Sequence, residues 1–268
     1  MCAHHYYHRA ILAGDLKLNE SVHIKQYRIE EDVECRPGQY LMLWLPASGE
    51  IPLSPSKCGG ERVEFLVENV GPTSEAIVGC KVGEESFIRG PFGTSFALDT
   101  NGPYLLVGGG TGIAPMLMAL AELNRRGKEA HVISGGASRS KLYYVDDLKT
   151  MARSADFVTE DGSFGKRGMA TDFVEEAIVS KRVRVVLTTG PEKMMRKTVE
   201  IATKYGIYSE VSIVRIIKCA EGVCGSCVLD PSGVLTCKDG SVLKGASLLE
   251  TDFGFKMRDD SGRRIQLP

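Results

Sequence analysis

Tyr104-Leu105-Leu106-Val107-Gly108-Gly109-Gly110-Thr111-Gly112-Ile113-Ala114-Pro115 decides the fold. An unbroken apolar run is followed by a glycine cluster. The next residues, 116–127 (MLMALAELNRRG), then have helical spacing. A strand with no polar alternation is buried on both faces, as in a parallel sheet. At a strand–loop–helix junction, backbone N–H groups and a helix N-terminus can hold a pyrophosphate. Gly109, Gly110, Thr111 and Gly112 are therefore candidate nucleotide-binding residues. The loop matches neither familiar form. A P-loop needs Gly-Lys-Ser/Thr, and there is no lysine. The dinucleotide fingerprint G-x-G-x-x-G fails at Ile113. A glycine-rich turn with no ligand is the competing reading.

Downstream, short apolar strands alternate with amphipathic helices. HVISGG (131–136), DFVTED (156–161) and VRVVLTTG (183–190) read as strands. KLYYVDDLKTMA (141–152), MATDFVEEAIVS (169–180) and EKMMRKTVEIATKYG (192–206) read as helices. This alternation predicts βαβ units. Gly190-Pro191 marks the start of the last helix and adds two candidate nucleotide contacts. No acidic residue for a ribose 2′-hydroxyl follows HVISGGA; Ser138, Arg139 and Ser140 occur there instead. Arg139 suits a 2′-phosphate or is a solvated loop arginine, so NAD is expected with NADP as the alternative.

Upstream, residues 6–98 read as β structure. SVHIKQYRI (21–29), YLMLWLP (40–46) and RVEFLVENV (62–70) are broken by Gly, Pro and Asp, and only SEAIVG (74–79) suggests a short helical turn. A small antiparallel barrel is expected. Cys35-Arg36-Pro37-Gly38-Gln39-Tyr40 reads as a turn feeding a buried strand.

The late segment carries Cys219, Cys224, Cys227 and Cys237, spaced C-x4-C-x2-C-x9-C. The first three repeat the plant-type ferredoxin spacing, and thiolates are the ligands a two-iron cluster needs. Gly222 and Gly225 permit the sharp turns such a loop requires, and Ala220 and Ser226 leave room for an inorganic core. These four are candidate ligands of a [2Fe–2S] cluster. Zinc, which favours paired knuckles, and disulfides are the competing readings. Strand-like IYSEVSIVRII (207–217) leads into the loop, and a polar tail is expected after Gly240. The expected division is residues 1–100, an antiparallel β-barrel; 101–207, a nucleotide-binding α/β domain; and 208–268, the cluster module.

The 268 residues carry a formal net charge of −1, with 43% hydrophobic and 25% charged residues. Nothing there points to nucleic acid or an anionic membrane. The opening MCAHHYYHRA has no signal-peptide pattern, and no apolar run reaches the length of a membrane span. Cys2, Cys35, Cys58 and Cys80 are scattered singly, as reduced cytosolic thiols are, so a cytoplasmic location is expected. His4, His5 and His8 read as a polar lead-in to the first strand rather than a metal site.

The ordered set of a barrel, GGGTGIAP, TTGPEKMM and the four-cysteine loop resembles one family. It is similar to the electron-transfer subunit of type B dihydroorotate dehydrogenase, in the ferredoxin–NADP reductase superfamily. Thr159-Glu160-Asp161-Gly162-Ser163, Gly90-Pro91-Phe92-Gly93 and Cys237-Lys238-Asp239-Gly240 match further short family segments. The resemblance implies FAD held by an R-P-x-S strand, here Pro52, Leu53 and Ser54, with Ile51 where the arginine belongs. Arginine would supply a charged fork to the FAD pyrophosphate. The resemblance also implies contacts from Gly71, Pro72, Thr73 and Ser74, and from Leu66, Val67 and Glu68 on a strand facing the flavin. Barrel core and turns are the competing reading for these residues. No side chain is expected to act as a catalytic acid or base. The implied partner is a catalytic subunit that oxidises dihydroorotate, in a hetero-oligomer serving pyrimidine biosynthesis. The neighbouring alternatives are flavin subunits of a sulfhydrogenase or of a ferredoxin:NADP transhydrogenase. A zinc-stapled nucleotide-binding regulator is the alternative from another class.

Overall fold

The computed structural model describes residues 6–213, 215–259 and 261–267, so Cys2, His4 and His5 lie outside the described residues. The first part forms β1 (His8–Lys17), β2 (Val22–Ile29), β3 (Tyr40–Leu45), β4 (Gly49–Leu53), β5 (Pro55–Gly59), β6 (Arg62–Glu68) and β7 (Glu85–Phe92). These strands pair in the order β4-β3-β7-β1-β2-β6-β5, every pair antiparallel. The sheet curls around one apolar face. Leu12, Tyr27, Ile29, Leu41, Leu43, Phe65 and Ile88 share a buried core, and Ile77 of α1 (Pro72–Gly79) completes it. Curling also joins residues distant in sequence. Cys35 and Cys58, read above as isolated thiols, come into contact with their Sγ atoms 2.6 Å apart.

Beyond Asn101-Gly102-Pro103 the βα alternation is present. β8 (Tyr104–Gly109), β9 (Ala130–Gly136), β10 (Ser154–Thr159), β11 (Lys166–Arg167), β12 (Val185–Thr189) and β13 (Tyr208–Ser212) lie parallel in the order β11-β10-β9-β8-β12-β13. The interleaved helices are α2 (Ile113–Arg125), α3 (Val145–Met151), α4 (Val174–Ser180) and α5 (Glu192–Lys204). Every residue of β8 is buried. Tyr104 and Leu106 pack with α2 and α3 on one face, and Leu105 and Val107 with α4 and α5 on the other. That two-sided burial is why its sequence shows no alternation.

Helix α3 is shorter than its pattern suggests, beginning only at Val145. The preceding Tyr144 turns toward the barrel instead, with its Oη 2.9 Å from Ser56 Oγ and 3.2 Å from Glu64 Oε1. Lys141 Nζ donates to Glu68 Oε1 at 2.7 Å, a second tie between the two sheets.

The expected polar tail is corrected by the structure. After the short hairpin β14 (Val228–Leu229) and β15 (Val234–Leu235), β16 (Val242–Lys244) pairs antiparallel with β13. Next come α6 (Gly245–Leu248) and a hairpin of β17 (Lys256–Arg258) and β18 (Arg264–Gln266). Val242, Leu248 and Phe253 are spaced too irregularly to read as an element, yet each enters a core begun elsewhere. The segment from residue 208 thus lends β13 and β16 to the nucleotide sheet. Among the described residues no helix is long and apolar enough to cross a membrane.

Candidate functional site

The chain steps outward from β8 through β9, β10 and β11, then returns to the other side of β8 as β12. Such a reversal opens a crevice beyond the carboxyl ends of the strands. Gly109, Gly110, Thr111 and Gly112 leave the end of β8, and Gly190-Pro191 leaves the end of β12, so the predicted nucleotide residues meet here. The loops touch so closely that a Cβ on Gly112 would lie 2.7 Å from Gly190 Cα. Gly112→Ala is therefore expected to part the loops and weaken NADH binding roughly tenfold, about 1.4 kcal/mol. Titration of NADH fluorescence measures this, with circular dichroism confirming an unchanged fold.

A cleft with about 690 Å³ of open space lies between this crevice and the curled sheet. Pro52, Leu53, Ser54 and Leu66 line it from one side, and Thr111, Gly112 and Thr189 from the other. Tyr40, Ile213, Arg215, Ile217 and Ser241 also line it, and none of these was anticipated. Several predicted residues stand elsewhere. The strand's two-residue period turns the Val67 side chain into the barrel core. Glu68 is tied to Lys141. Gly71, Pro72, Thr73 and Ser74 form the start of α1, outside the cleft, and their hydroxyls are spent on local bonds. Thr73 Oγ1 donates to the Ser48 carbonyl at 2.7 Å, and Ser74 Oγ accepts from Val70 and Gly71 N–H at 2.9 and 3.0 Å. Gly109, Gly110, Gly190 and Pro191 border the nucleotide crevice rather than the cleft wall.

Ile51 packs against the barrel core and brings no charge. The cation in the cleft is Arg215, only 4% exposed. Its Nε lies 2.8 Å from Glu192 Oε1 and its Nη2 3.2 Å from Asp252 Oδ1. Burial holds both carboxyls above their usual range even with the guanidinium beside them. Nη1 is buried without a hydrogen-bond partner. An orphaned cationic donor in a largely apolar cleft fits a planar ligand with an electron-rich polar edge, which describes a flavin. The signal for it was a lone arginine inside the apolar run SIVRII.

The cysteine loop packs on the outer side of β3 and β7. Tyr40, Met42 and Phe92 form one apolar cluster with Ile217, Ala220, Cys227 and Cys237. Gly222 and Gly225 have φ of 75° and 71°, the sharp turns expected of them. Arg89 grips Glu50 with two nitrogens, at 2.8 and 2.7 Å, and donates to the Cys219 carbonyl at 3.2 Å. Among the described residues no three His, Cys, Asp or Glu side chains converge on one point. The sulfurs fall into two neighbouring pairs instead, Cys219 with Cys224 and Cys227 with Cys237. Burial alone would raise the Cys219 thiol, but backbone N–H groups of Cys224, Glu221 and Val223 bring it down to about 6. Cys227 Sγ accepts the Cys237 N–H at 3.5 Å. Thiol pairs with amides aimed at sulfur are the soft, anionic donor chemistry a metal centre takes.

Tyr40 joins the two regions. It lines the cleft, and its Oη donates to the Cys237 carbonyl at 3.1 Å. At the far end of the nucleotide crevice, Arg139 is exposed. Its guanidinium stacks 4.8 Å over the Phe164 ring and donates to the Leu142 carbonyl at 3.3 Å.

Comparison with known proteins agrees with this geometry. The family model of the oxidoreductase NAD-binding domain matches residues 106–200. A chain from a structure of an NADH-dependent reduced ferredoxin-NADP oxidoreductase, solved in work on flavin-based electron bifurcation, superposes with a TM-score of 0.81. It is 26% identical, with 91% of this chain and 90% of that one covered. The cytochrome b5 reductase domain of Ulva prolifera nitrate reductase shares the fold, with a TM-score of 0.62 at 15% identity over 75% of this chain and 94% of that one. Fold and crevice thus define an NAD(P)H-linked flavin oxidoreductase subunit of the ferredoxin reductase type. Among curated relatives, the "Probable dihydroorotate dehydrogenase B (NAD(+)), electron transfer subunit" of Methanocaldococcus jannaschii is 36% identical over 249 residues, 92% of this chain and 95% of that one. Its counterpart from Methanopyrus kandleri is 35% identical over 240 residues, covering 90% and 91%. The chain belongs to this family of dihydroorotate dehydrogenase B electron transfer subunits.

Proposed function

We propose that this chain carries electrons from a dihydroorotate-oxidising catalytic subunit to NAD+ in the cytoplasm, through a [2Fe–2S] cluster and FAD. FAD, when bound, exchanges electrons singly or in pairs, and so couples a one-electron cluster to a two-electron nicotinamide. The chain's own residues orient and tune these groups. Pro52, Leu53, Ser54 and Leu66 wall the flavin cleft, and Gly71, Pro72, Thr73 and Ser74 lie beyond it, where the Thr73 and Ser74 N–H groups in the first turn of α1 would face the flavin's phosphates. Gly109 to Gly112 and Gly190-Pro191 hold the nucleotide. Cys219, Cys224, Cys227 and Cys237 hold the iron. Arg215 offers its unpartnered Nη1 to the polar edge of the flavin. Residues 1–100, 101–207 and 208–268 serve the three groups in turn, with β13 and β16 fastening the last to the second.

One observation carries this reading: Tyr40 lines the cleft and also touches the backbone of Cys237. A flavin against that wall would be one side chain away from the cysteine loop. The test is reconstitution. Anaerobically purified chain should show flavin and iron–sulfur absorption that NADH bleaches. It should reduce NAD+ with dihydroorotate only when a dihydroorotate-oxidising flavoprotein is added. Material free of both iron and flavin, or a mixture that transfers nothing, would overturn the reading.

The crevice also favours one nucleotide. Arg139 is held by Phe164 and Leu142, and Lys141 by Glu68, so neither cation stands ready for a 2′-phosphate. NADH should reduce the flavin at least about tenfold more efficiently than NADPH, roughly one charged hydrogen bond's worth. Stopped-flow flavin bleaching with the two nucleotides measures the ratio, and a preference for NADPH would reassign Arg139.

A further inference from the structure

Two cysteines away from the cluster loop meet in the curled sheet. Cys58 lies on the edge strand β5, and Cys35 in the connection between β2 and β3. They stand 23 residues apart, yet their Sγ atoms are 2.6 Å from one another, closer than two unbonded sulfurs rest. The surrounding backbone holds them there. Val33, buried in the barrel core, donates its N–H to the Gly60 carbonyl at 3.0 Å. Cys58 Sγ also lies 3.4 Å from the Val33 carbonyl. Both thiols are partly exposed, so small reagents can reach them. Neither lines the flavin cleft. Cys80, by contrast, is buried, with its Sγ on the Ala76 carbonyl.

We propose that Cys35 and Cys58 form a reversible disulfide that ties the β2–β3 connection to the barrel edge. The oxidant is a small-molecule disulfide. Cys58 thiolate attacks one of its sulfurs and expels a thiolate. Cys35, its proton released to solvent, then attacks Cys58 sulfur and expels the second thiolate. The two protein thiols lose two electrons and two protons, and the reagent is reduced to two thiols. Contact with Cys35 holds the Cys58 thiol below its usual range against the opposing effect of burial, so Cys58 reacts first. Among intracellular proteins such bonds are characteristic of redox-sensing pairs and of hyperthermophile proteins. The tied connection continues through Gly38 and Gln39 to Tyr40, so the bond would steady the approach to the cleft. There Gly38 O accepts from Ser241 Oγ at 2.5 Å, and Gln39 Nε2 donates to Gly93 O at 3.0 Å.

The experiment equilibrates the intact, cofactor-loaded chain with oxidised or reduced dithiothreitol, alkylates free thiols, and maps peptides without reduction. The expected product is a cross-linked peptide pair containing Cys35 and Cys58, lighter by two hydrogens than the free peptides. The oxidised protein should melt several degrees above the reduced protein. Cys35→Ser should abolish both the cross-link and that melting difference, while NADH still bleaches the flavin; Cys58→Ser serves if the first variant does not fold. Separate alkylation of Cys35 and Cys58 under the oxidising condition would overturn the proposal. So would a melting difference that persists in the serine variant. Neither result bears on the electron-transfer reading, which is tested by flavin, iron and reconstitution.

Discussion

Cys224→Ser is expected to strip the chain of iron and acid-labile sulfide while leaving NADH binding intact. Cys224 is the most exposed of the four sulfurs, so serine there opens no cavity and disturbs no core. Any loss then reports on ligation. A neutral hydroxyl is a poor substitute for a thiolate at iron. Iron content should fall roughly tenfold or more, because a two-iron cluster held by three sulfurs is labile. The nucleotide loops at Gly109 to Gly112 and Gly190 gather at the carboxyl ends of β8 and β12 and should not feel the change. Metal analysis and electron paramagnetic resonance of anaerobic material measure the first effect, and NADH titration the second. Iron at the wild-type level would remove Cys224 from the ligand set.

The second large effect is expected at Arg215. Arg215→Met would leave Glu192 and Asp252 buried with no cation between them, a change that costs about 3–5 kcal/mol. Glu192 also accepts the Gly254 N–H at 2.9 Å, and Asp252 accepts the Asp230 N–H at 3.3 Å, so the damage would spread through the C-terminal segment. The deficit has a pH signature. Both carboxyls already sit above their usual range through burial, and loss of the guanidinium would raise them further. Between the unfolded and folded values the folded state then binds more protons. The variant's stability should therefore recover as pH falls from neutral toward the ordinary carboxylate range, and worsen as pH rises. Thermal unfolding at several pH values checks the sign. Flavin retained through gel filtration checks the binding role. A variant as stable as the parent that also kept its flavin would show that Arg215 does neither job.

The strand–loop–helix at residues 104–125 was legible because its two signals, two-sided burial and a glycine turn, are local. The same holds for the barrel strands, β-rich runs broken by Gly, Pro and Asp, and for the cysteine spacing. What escaped reading is non-local. Tyr40 looked like an ordinary core residue following a turn, and only the packing of β3 against the late loop makes it a wall of the cleft. Arg215 carried a weak local sign, a charge amid SIVRII, but its partners Glu192 and Asp252 are 23 and 37 residues away. The Cys35 and Cys58 pair was invisible for the same reason. The last thirty or so residues looked like a solvated tail because their apolar residues do not complete a face of their own; they complete faces begun by α5 and β13.

The antiparallel seam between β13 and β16 bears on how charge would enter the molecule. It stitches the sulfur-bearing lobe to a rigid platform on one side, while β3 and β7 brace it on the other. A relay built this way is a stationary terminal and not a swinging shuttle. Cys224 and the neighbouring Val223, 82% exposed, stand at its rim. Traffic would then be governed by how well another molecule seats against that rim, and lengthening a tether would do nothing to speed it.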